Sequence, residues 1–232
     1  MGIFLQSLAD AFRLIISVDP EVVGITWLSL KVSGLAVICS SLIGIPLAFF
    51  LSMSKFPGRK VVINVVHTFM GLPPVVAGLF VYIMLSSKGE FGWLDMLFSP
   101  LAMVIAQIVI ATPIITGVSL AAINNVDNML KETIVSLGAT RWQKVIGILK
   151  EAKYGIITAI VTGFGRAISE VGAIIIVGGN IQYYTRALTT AIVLETRRGN
   201  FELALALGII LLAIGFLVNW ALTSIQQRIV KR

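Results

Sequence analysis

The chain has 232 residues, of which 57% are hydrophobic and only 12% are charged. Soluble domains carry about 25% charged residues, and a chain with a mean hydropathy of +0.97 has too little polar surface to enclose a water-soluble core. The composition therefore excludes an ordinary soluble domain and predicts a protein of the lipid bilayer. Cys39 is the only cysteine and His67 the only histidine, which excludes an intrachain disulfide and any site that needs two histidines.

The first 18 residues differ from the rest of the chain because apolar residues recur there at helical spacing. Gln6, Asp10 and Arg13 separate the apolar positions, which are Phe4, Leu5, Leu8, Phe12 and Ile15. A helix with one apolar face lies in the membrane interface rather than across it. Residues 1–18 are therefore predicted to form an interfacial amphipathic helix.

Five longer apolar segments follow, and each has about the 20 residues that a transmembrane helix needs. Asp19, Pro20 and Glu21 supply an N-cap, a proline and an acid for the first turn of a helix that runs into the first segment. The predicted fold is an all-α membrane protein with one domain over residues 20–226 and a short basic tail over residues 227–232. The five predicted spans cover residues 25–53, 61–86, 98–123, 155–178 and 201–225.

Lysines and arginines are distributed unevenly between the two sides of the membrane. The linkers on one side hold 11 of them and the linkers on the other side hold 5, while Lys31 and Arg166 lie within spans. Cytoplasmic loops carry the excess of these residues, so the carboxyl terminus is predicted in the cytoplasm and the amino terminus outside the cell membrane. Because this distribution accounts for the net charge of +7, no nucleic-acid partner is expected. The richer side comprises Lys55, Arg59, Lys60, Lys131, Arg141, Lys144, Lys150, Lys153, Arg228, Lys231 and Arg232; the poorer side comprises Arg13, Lys88, Arg186, Arg197 and Arg198.

The longest cytoplasmic linker, residues 124–154, has the sequence of a structured segment. Asp127 can cap a helix that runs through Leu137, and Gly138 follows as a left-handed stop. Thr140 and Gln143 form a capping box that predicts a second short helix. Two short helices around a glycine would make either a well-capped connector or a rigid knob for docking.

The same linker carries a family motif. The segment from Glu132 to Gly138, followed after nine residues by Ile148, resembles the EAA motif of ATP-binding-cassette (ABC) importer permeases. Thr133 and Ile134 stand where two alanines are usual, and Lys150-Glu151 stands where Leu-Pro is usual. The resemblance implies that this segment is a coupling helix that docks into a cleft on a separate cytoplasmic ATPase. The coupling residues that it implies are Glu132, Ser136, Gly138, Ala139, Arg141 and Trp142.

The resemblance extends over residues 20–226. The segment Met70–Leu79 resembles the second-span signature of molybdate and tungstate permeases, and three later segments look most like the tungstate branch: Gly163–Ala173, Val177–Ile181 and Leu188–Thr196. The resemblance implies the permease of an oxyanion importer that transports tungstate or molybdate. It also implies a two-fold homodimer, two ATPase subunits that bind ATP and magnesium, and an extracytoplasmic solute-binding protein. No cofactor is expected in this chain itself.

Pro73 and Pro74 interrupt the second predicted span. Paired prolines remove two backbone donors and kink or break a helix, and irregular backbone at membrane depth persists only where protein or a water-filled cavity covers it. The break is either a packing feature or part of a translocation pathway. His67 and Thr68 lie one to two turns before it, which favours the pathway.

Arg166 and Glu170 are charged residues in the fourth predicted span. Their i, i+4 spacing places them on one helix face, and ionisable groups at membrane depth usually face a bundle interior or a pathway. The pair is either an internal salt bridge that fixes helix packing, or a site where Arg166 attracts an oxyanion while Glu170 keeps the Arg166 side chain oriented. Ser169, between them, is a further pathway candidate.

The chain lacks the Gly-x-x-x-x-Gly-Lys-[Ser/Thr] motif that cradles ATP phosphates. This favours a non-catalytic transporter subunit whose ATPase is a separate chain. The alternatives are a self-sufficient secondary transporter, for which internal repeats with paired broken helices are typical, and a membrane enzyme, for which the sequence offers no convergent catalytic set.

Overall fold

The structure is a computed structural model, and it describes residues 3–230. Within this range the chain forms ten α-helices, one 3-10 turn at Gly92–Leu94 and no β-strand. The last two residues of the predicted basic tail, and the side chains from residue 225 onwards, lie outside the described part. The helices are α1 (Ile3–Ile16), α2 (Pro20–Met53), α3 (Arg59–Met70), α4 (Pro74–Leu85), α5 (Pro100–Asn124), α6 (Asn128–Ser136), α7 (Arg141–Ile168), α8 (Gly172–Gly178), α9 (Leu188–Arg198) and α10 (Phe201–Val230).

Three of these helices, α2, α5 and α10, are long and apolar enough to cross a membrane unaided. The α2 helix begins as predicted, because the Asp19 carboxylate accepts hydrogen bonds from the backbone N–H groups of Glu21 and Val22 at 2.9 and 3.2 Å. The second and fourth predicted spans are each broken into two helices. The axes of α3 and α4 differ by 103°, and those of α7 and α8 by 59°. The described residues therefore contain three candidate spans, or up to five if each bent pair is counted as one span.

The core is built around α5. Buried apolar side chains of α5 pack with those of α2, α4 and α8 in one cluster, and with those of α2, α3 and α7 in a second. The Gln107 amide N–H₂ donates to the Ser33 hydroxyl at 3.2 Å and to the Ala167 carbonyl at 2.9 Å. Because such bonds cross between helices in an apolar setting, they fix α2, α5 and α7 relative to one another.

The amino-terminal helix α1 packs on α10. Ser7 and Ala11 are buried, whereas Phe12 and Ile16 are exposed. Small residues allow two membrane helices to approach closely, which explains why they, rather than the larger apolar residues of α1, are buried. The side chains of Phe4 and Leu5 are not among those described, and the interfacial position of α1 stays a prediction.

The second short helix predicted in the linker 124–154 is not a separate element. Thr140 opens a helix as predicted, but α7 continues for 28 residues from Arg141 to Ile168. Between these positions the chain has no proline, and its glycines do not interrupt the hydrogen-bonded ladder. The cytoplasmic segment is therefore one short helix, α6, followed by the extended first turns of α7.

A short outer helix, α9, follows the turn at residues 179–187. The helix begins at Leu188. In the turn before it, the Thr185 side chain accepts from the Ile181 N–H and donates to the Gly178 carbonyl. The helix ends at Gly199, whose φ is +77°.

Candidate coupling knob and translocation site

The segment 127–143, which we call the knob and which is predicted in the cytoplasm, is fixed at both ends by caps. The Asp127 carboxylate accepts from the Met129 N–H at 2.9 Å. After α6, Gly138 adopts a φ of +73°, a left-handed conformation that side chains with a Cβ rarely adopt. The capping box at the start of α7 is complete: the Gln143 N–H donates to the Thr140 hydroxyl at 3.3 Å, and the Thr140 N–H donates to the Gln143 side-chain carbonyl at 2.8 Å. These local predictions are confirmed.

Packing holds α6 against α7. A Cβ placed on Gly147 would lie 2.9 Å from Ile134 Cδ1, so the glycine leaves room for the isoleucine that replaces a motif alanine. Ile148 and Ala152 are buried, and Leu130 packs against the same cluster. The knob therefore moves with α7.

Three large apolar side chains of the knob are exposed. Met129, Leu137 and Trp142 are 74%, 80% and 75% exposed; we call these three residues the knob surface. Apolar groups exposed together on a polar segment mark protein contacts. The motif resemblance identified Trp142 but missed Met129 and Leu137, although an apolar residue beside a helix cap in a polar linker is a signal that could have found them.

The remaining predicted coupling residues surround this surface. Glu132, Ser136 and Gly138 are exposed and Ala139 is half-buried. The Ser136 hydroxyl donates to the Glu132 carbonyl at 3.1 Å. The side chain of Arg141 is not among those described.

The two helix breaks lie side by side. A Cβ on Gly78 of α4 would come within 2.6 Å of Ala173 Cα in α8, and a Cβ on Gly172 would lie 2.9 Å from Val75 Cγ2. A larger residue at Gly78 would require backbone movement, and one at Gly172 would displace the Val75 side chain. The chain therefore brings together the amino-terminal ends of two half-helices, α4 and α8, that are far apart in sequence.

Glu170 occupies the second break, and its geometry corrects the sequence interpretation. Because α7 ends at Ile168, Glu170 is not on the same helix as Arg166, although Arg166 Nη1 still lies 3.7 Å from Glu170 Oε2. The carboxylate is 2% exposed. Its Oε1 accepts from the N–H groups of Val171 and Ala173 at 3.0 and 3.2 Å, so it caps α8 as well as pairing with Arg166.

The other predicted pathway residues line the break. The Arg166 side chain is 37% exposed, Ser169 and Pro73 are exposed, and Pro74 is half-buried. The Ser169 hydroxyl donates to the Gly165 carbonyl at 2.8 Å, so its own donor is already used. Of the two polar side chains, Arg166 is consequently the one that retains N–H groups for binding an anion.

The described residues thus form a helical bundle with two sharply bent helix pairs and a capped knob. Residues 40–231 match the sequence model of the binding-protein-dependent transport system inner membrane component, and the chain belongs to this family. It is the permease subunit of a type I ABC importer, and a multi-pass membrane protein.

Several curated relatives extend over most of the chain. It is 44% identical to a probable anion ABC transporter permease protein of Haloferax volcanii, over 85% of this chain and 87% of the relative. It is 37% identical to the tungstate uptake system permease protein TupB of Peptoclostridium acidaminophilum, over 96% and 100%. It is 35% identical to the molybdenum transport system permease protein ModB of Escherichia coli, over 75% and 79%.

A solved structure has the same fold. The crystal structure of a bacterial alginate ABC transporter, in complex with its alginate pentasaccharide-bound periplasmic protein, superposes with a TM-score of 0.77 at 23% identity. The match covers 98% of this chain and 88% of the other. At this level of identity the likeness establishes the fold alone.

Proposed function

We propose that this chain forms the translocation pathway of an ATP-driven importer for tungstate or molybdate. The observation that carries the proposal is Arg166, which is exposed where two half-helices meet in a permease related over its full length to a tungstate uptake permease. An oxyanion that crosses a low-dielectric path needs positive potential near it. The anion, tungstate and molybdenum relatives support the same substrate class.

Pro73, Pro74, Arg166 and Ser169 would line this pathway, and Glu170 would position Arg166 within it. Arg166 can donate to an oxyanion through the N–H groups that do not face Glu170. Because Glu170 also balances its charge, the site would attract an anion without holding it tightly, as a conducting path requires.

The ATPase would dock on the knob surface together with Glu132, Ser136, Gly138, Ala139 and Arg141. Exposed apolar anchors such as Trp142 dominate binding when they fill a partner's pocket. ATP and magnesium would be bound by that partner. Nucleotide-driven movement of the ATPase would reach the breaks through α7, which runs without interruption from the knob to Arg166.

A homodimer would enclose the pathway. Five apolar side chains form an exposed face along α4 and have no cover in the single chain: Val75, Val76, Leu79, Phe80 and Ile83. Since these residues adjoin Pro73-Pro74, a two-fold contact near them would place both copies of the break about one axis. In this arrangement the amino terminus lies outside and the carboxyl terminus inside, and an extracytoplasmic binding protein delivers the oxyanion. Residues 20–226 would act as one permease domain, with residues 1–18 at the interface.

Copurification and substrate competition test this proposal. A tagged permease should retain an ATPase subunit and, in proteoliposomes with its binding protein, support ATP-dependent uptake of labelled tungstate. Unlabelled molybdate should compete strongly because its size and charge are nearly the same. Uptake that neither tungstate nor molybdate inhibits would contradict the substrate assignment, and transport by the permease alone would contradict the ABC mechanism.

A further inference from the structure

A second polar site lies at the amino-terminal end of α2. It is a cavity of about 270 Å³ between the first turns of α2 and the turn before α9. Two cations and three aromatic rings contribute to its wall, together with Glu21: Lys31, Arg186, Trp27, Tyr183 and Tyr184. The transport proposal makes no use of any of them.

Arg186 is buried at this cavity with part of its hydrogen-bonding capacity unused. Its side chain is 7% exposed, and its Nη1 lies 3.4 Å from Glu21 Oε1. The same oxygen accepts from the Gln182 amide at 3.2 Å. Among the described residues, Arg186 Nε has no acceptor. A buried, unpaired guanidinium N–H calls for a ligand or a water molecule.

Lys31 adds a charge that no acidic side chain of the described residues balances. It is exposed, and it forms none of the ion pairs found within residues 3–230. Since Glu21 is already shared by Arg186 and Gln182, the cavity carries a net positive charge. A ligand that bears one negative charge would complement it.

The aromatic rings place this cavity at a membrane interface. Trp27 and Tyr184 are exposed and Tyr183 is 85% exposed, and tryptophan and tyrosine are concentrated at the level of the lipid headgroups. Tyr183 has a φ of +59°, a strained conformation for an aromatic residue that points to a functional constraint. Both tyrosines lie on the rim, where their hydroxyl groups can reach a headgroup.

An apolar stripe continues from the cavity along α2. Trp27, Leu35, Ile38 and Leu42 are exposed, and their spacing places them on the same face as Lys31. This stripe leads from the charged cavity towards the middle of the helix. The combined surface is amphipathic: cations and hydroxyl groups at one end, and hydrocarbon below.

We propose that this surface binds one anionic phospholipid, with the phosphodiester beside Lys31 at the cavity, where the buried Arg186 adds positive potential, and an acyl chain along the α2 stripe. Basic pockets between membrane helices hold lipid headgroups on the cytoplasmic side of membranes, and the same pairing of cation and phosphate applies at this end of α2, which is predicted to lie outside. A free oxyanion such as tungstate would match the charge but leave the apolar lining and the stripe uncovered. The amphipathic lining therefore favours a lipid over the transported substrate.

The test is native mass spectrometry of the purified full-length chain, titrated with phosphatidylglycerol and with phosphatidylcholine of the same acyl chains. Phosphatidylglycerol should bind more tightly. Lys31→Gln should weaken its binding about fivefold, since one lysine near an anionic lipid contributes on the order of 1 kcal/mol. Lys88→Gln is the matched control, because Lys88 is also exposed but lies outside the cavity, and it should leave the affinity unchanged.

Four results would overturn the proposal. These are unchanged binding in Lys31→Gln, an equal loss in Lys88→Gln, equal affinity for the two lipids, and displacement of phosphatidylglycerol by inorganic phosphate, which would identify a site for free anions. A separate binding measurement distinguishes a protein partner from a lipid. The Lys31→Gln permease should bind the solute-binding protein as tightly as the wild type does. A loss of that binding, with lipid binding intact, would assign the cavity to protein docking instead.

Discussion

Thr189 donates a hydrogen bond of 2.6 Å to the backbone carbonyl of Glu170, which ties the outer helix α9 to the break between α7 and α8. Both residues are buried. Glu170 also contacts Arg166 and caps α8. Its carbonyl therefore lies where α9 and the candidate pathway meet α7, the helix that continues from the knob. A movement of α7 would therefore be transmitted to α9.

Removing the Glu170 carboxylate should destabilise the permease even when its cationic partner is removed too. Glu170→Leu leaves the N–H groups of Val171 and Ala173 buried without acceptors, at about 1–3 kcal/mol each. A well-packed apolar pair often replaces a buried ion pair without loss, but here the double variant Arg166→Met/Glu170→Leu should remain unstable because the cap is still missing. Thermal unfolding in detergent measures this.

Glu170→Gln is the matched control for that experiment. Its side-chain carbonyl can still accept from both backbone groups, so it should unfold much closer to the wild-type temperature than Glu170→Leu does. If Glu170→Leu and the double variant are as stable as the wild type, the capping role is wrong.

Gly138→Val should uncouple ATP hydrolysis from transport while leaving membrane insertion intact. No atom outside the local chain lies within 4 Å of a Cβ placed on Gly138, so the effect comes from its φ of +73°, a conformation that costs about 1–2 kcal/mol for a residue with a side chain. The control is Gly208→Val, since Gly208 is equally open but lies inside the α10 helix. Normal uptake with normal substrate-stimulated ATPase activity in Gly138→Val would exclude this segment from coupling.

Trp142→Ala should weaken ATPase binding by about 2 kcal/mol or more, which is roughly 30-fold, because a truncated aromatic anchor leaves a partner's pocket unfilled. Trp93→Ala is the control: Trp93 is also largely exposed but lies in the linker predicted on the opposite side. Affinity of the detergent-solubilised permease for its ATPase is the measurement. Equal affinities for the wild type and Trp142→Ala would place the docking surface elsewhere.

Sidedness can be tested with single cysteines in a Cys39→Ser background. A cysteine at Lys144 should react with an impermeant thiol reagent only from the cytoplasmic face, and a cysteine at Lys88 only from outside, as the charge asymmetry predicts. Labelling of Lys88 and Lys144 from one side would mean that α5, which lies between them, does not cross the membrane. Because α3 and α4 are bent by 103° relative to each other, sidedness also decides whether this pair crosses the membrane. A third cysteine at Lys55, which precedes α3, tests the bent pair: labelling of Lys55 and Lys88 from the same side would mean that the pair re-enters the membrane rather than crossing it.

Features fixed by neighbouring residues could be predicted from the sequence. The Asp19 and Asp127 caps, the Thr140–Gln143 box and the Gly138 stop each depend on a few adjacent positions, and all are present. The break at Glu170 could not be predicted, because its cause is non-local. Gly78 and Gly172 allow α8 to lie against α4, Thr189 binds the carbonyl of the broken turn, and the carboxylate caps the new helix.

The sequence also misplaced side chains whose burial depends on tertiary contacts. In α1, Ser7 and Ala11 are buried because α10 packs against them, although the apolar pattern favoured larger residues. In α7, the capping box correctly marked a beginning but gave no information about length, so the continuity to Ile168 was missed.

In the proposed mechanism, Arg166 helps an oxyanion cross this permease. The most direct measurement is ATP-dependent tungstate uptake into proteoliposomes that contain Arg166→Gln together with the ATPase and the binding protein. Arg197→Gln, which changes an exposed arginine in the last turn of α9, is the control. Arg166→Gln leaves the Glu170 cap in place, so we expect the transporter to assemble normally. Its uptake should be reduced about tenfold or more, equivalent to about 1.4 kcal/mol. Wild-type uptake by a fully assembled Arg166→Gln transporter would contradict it.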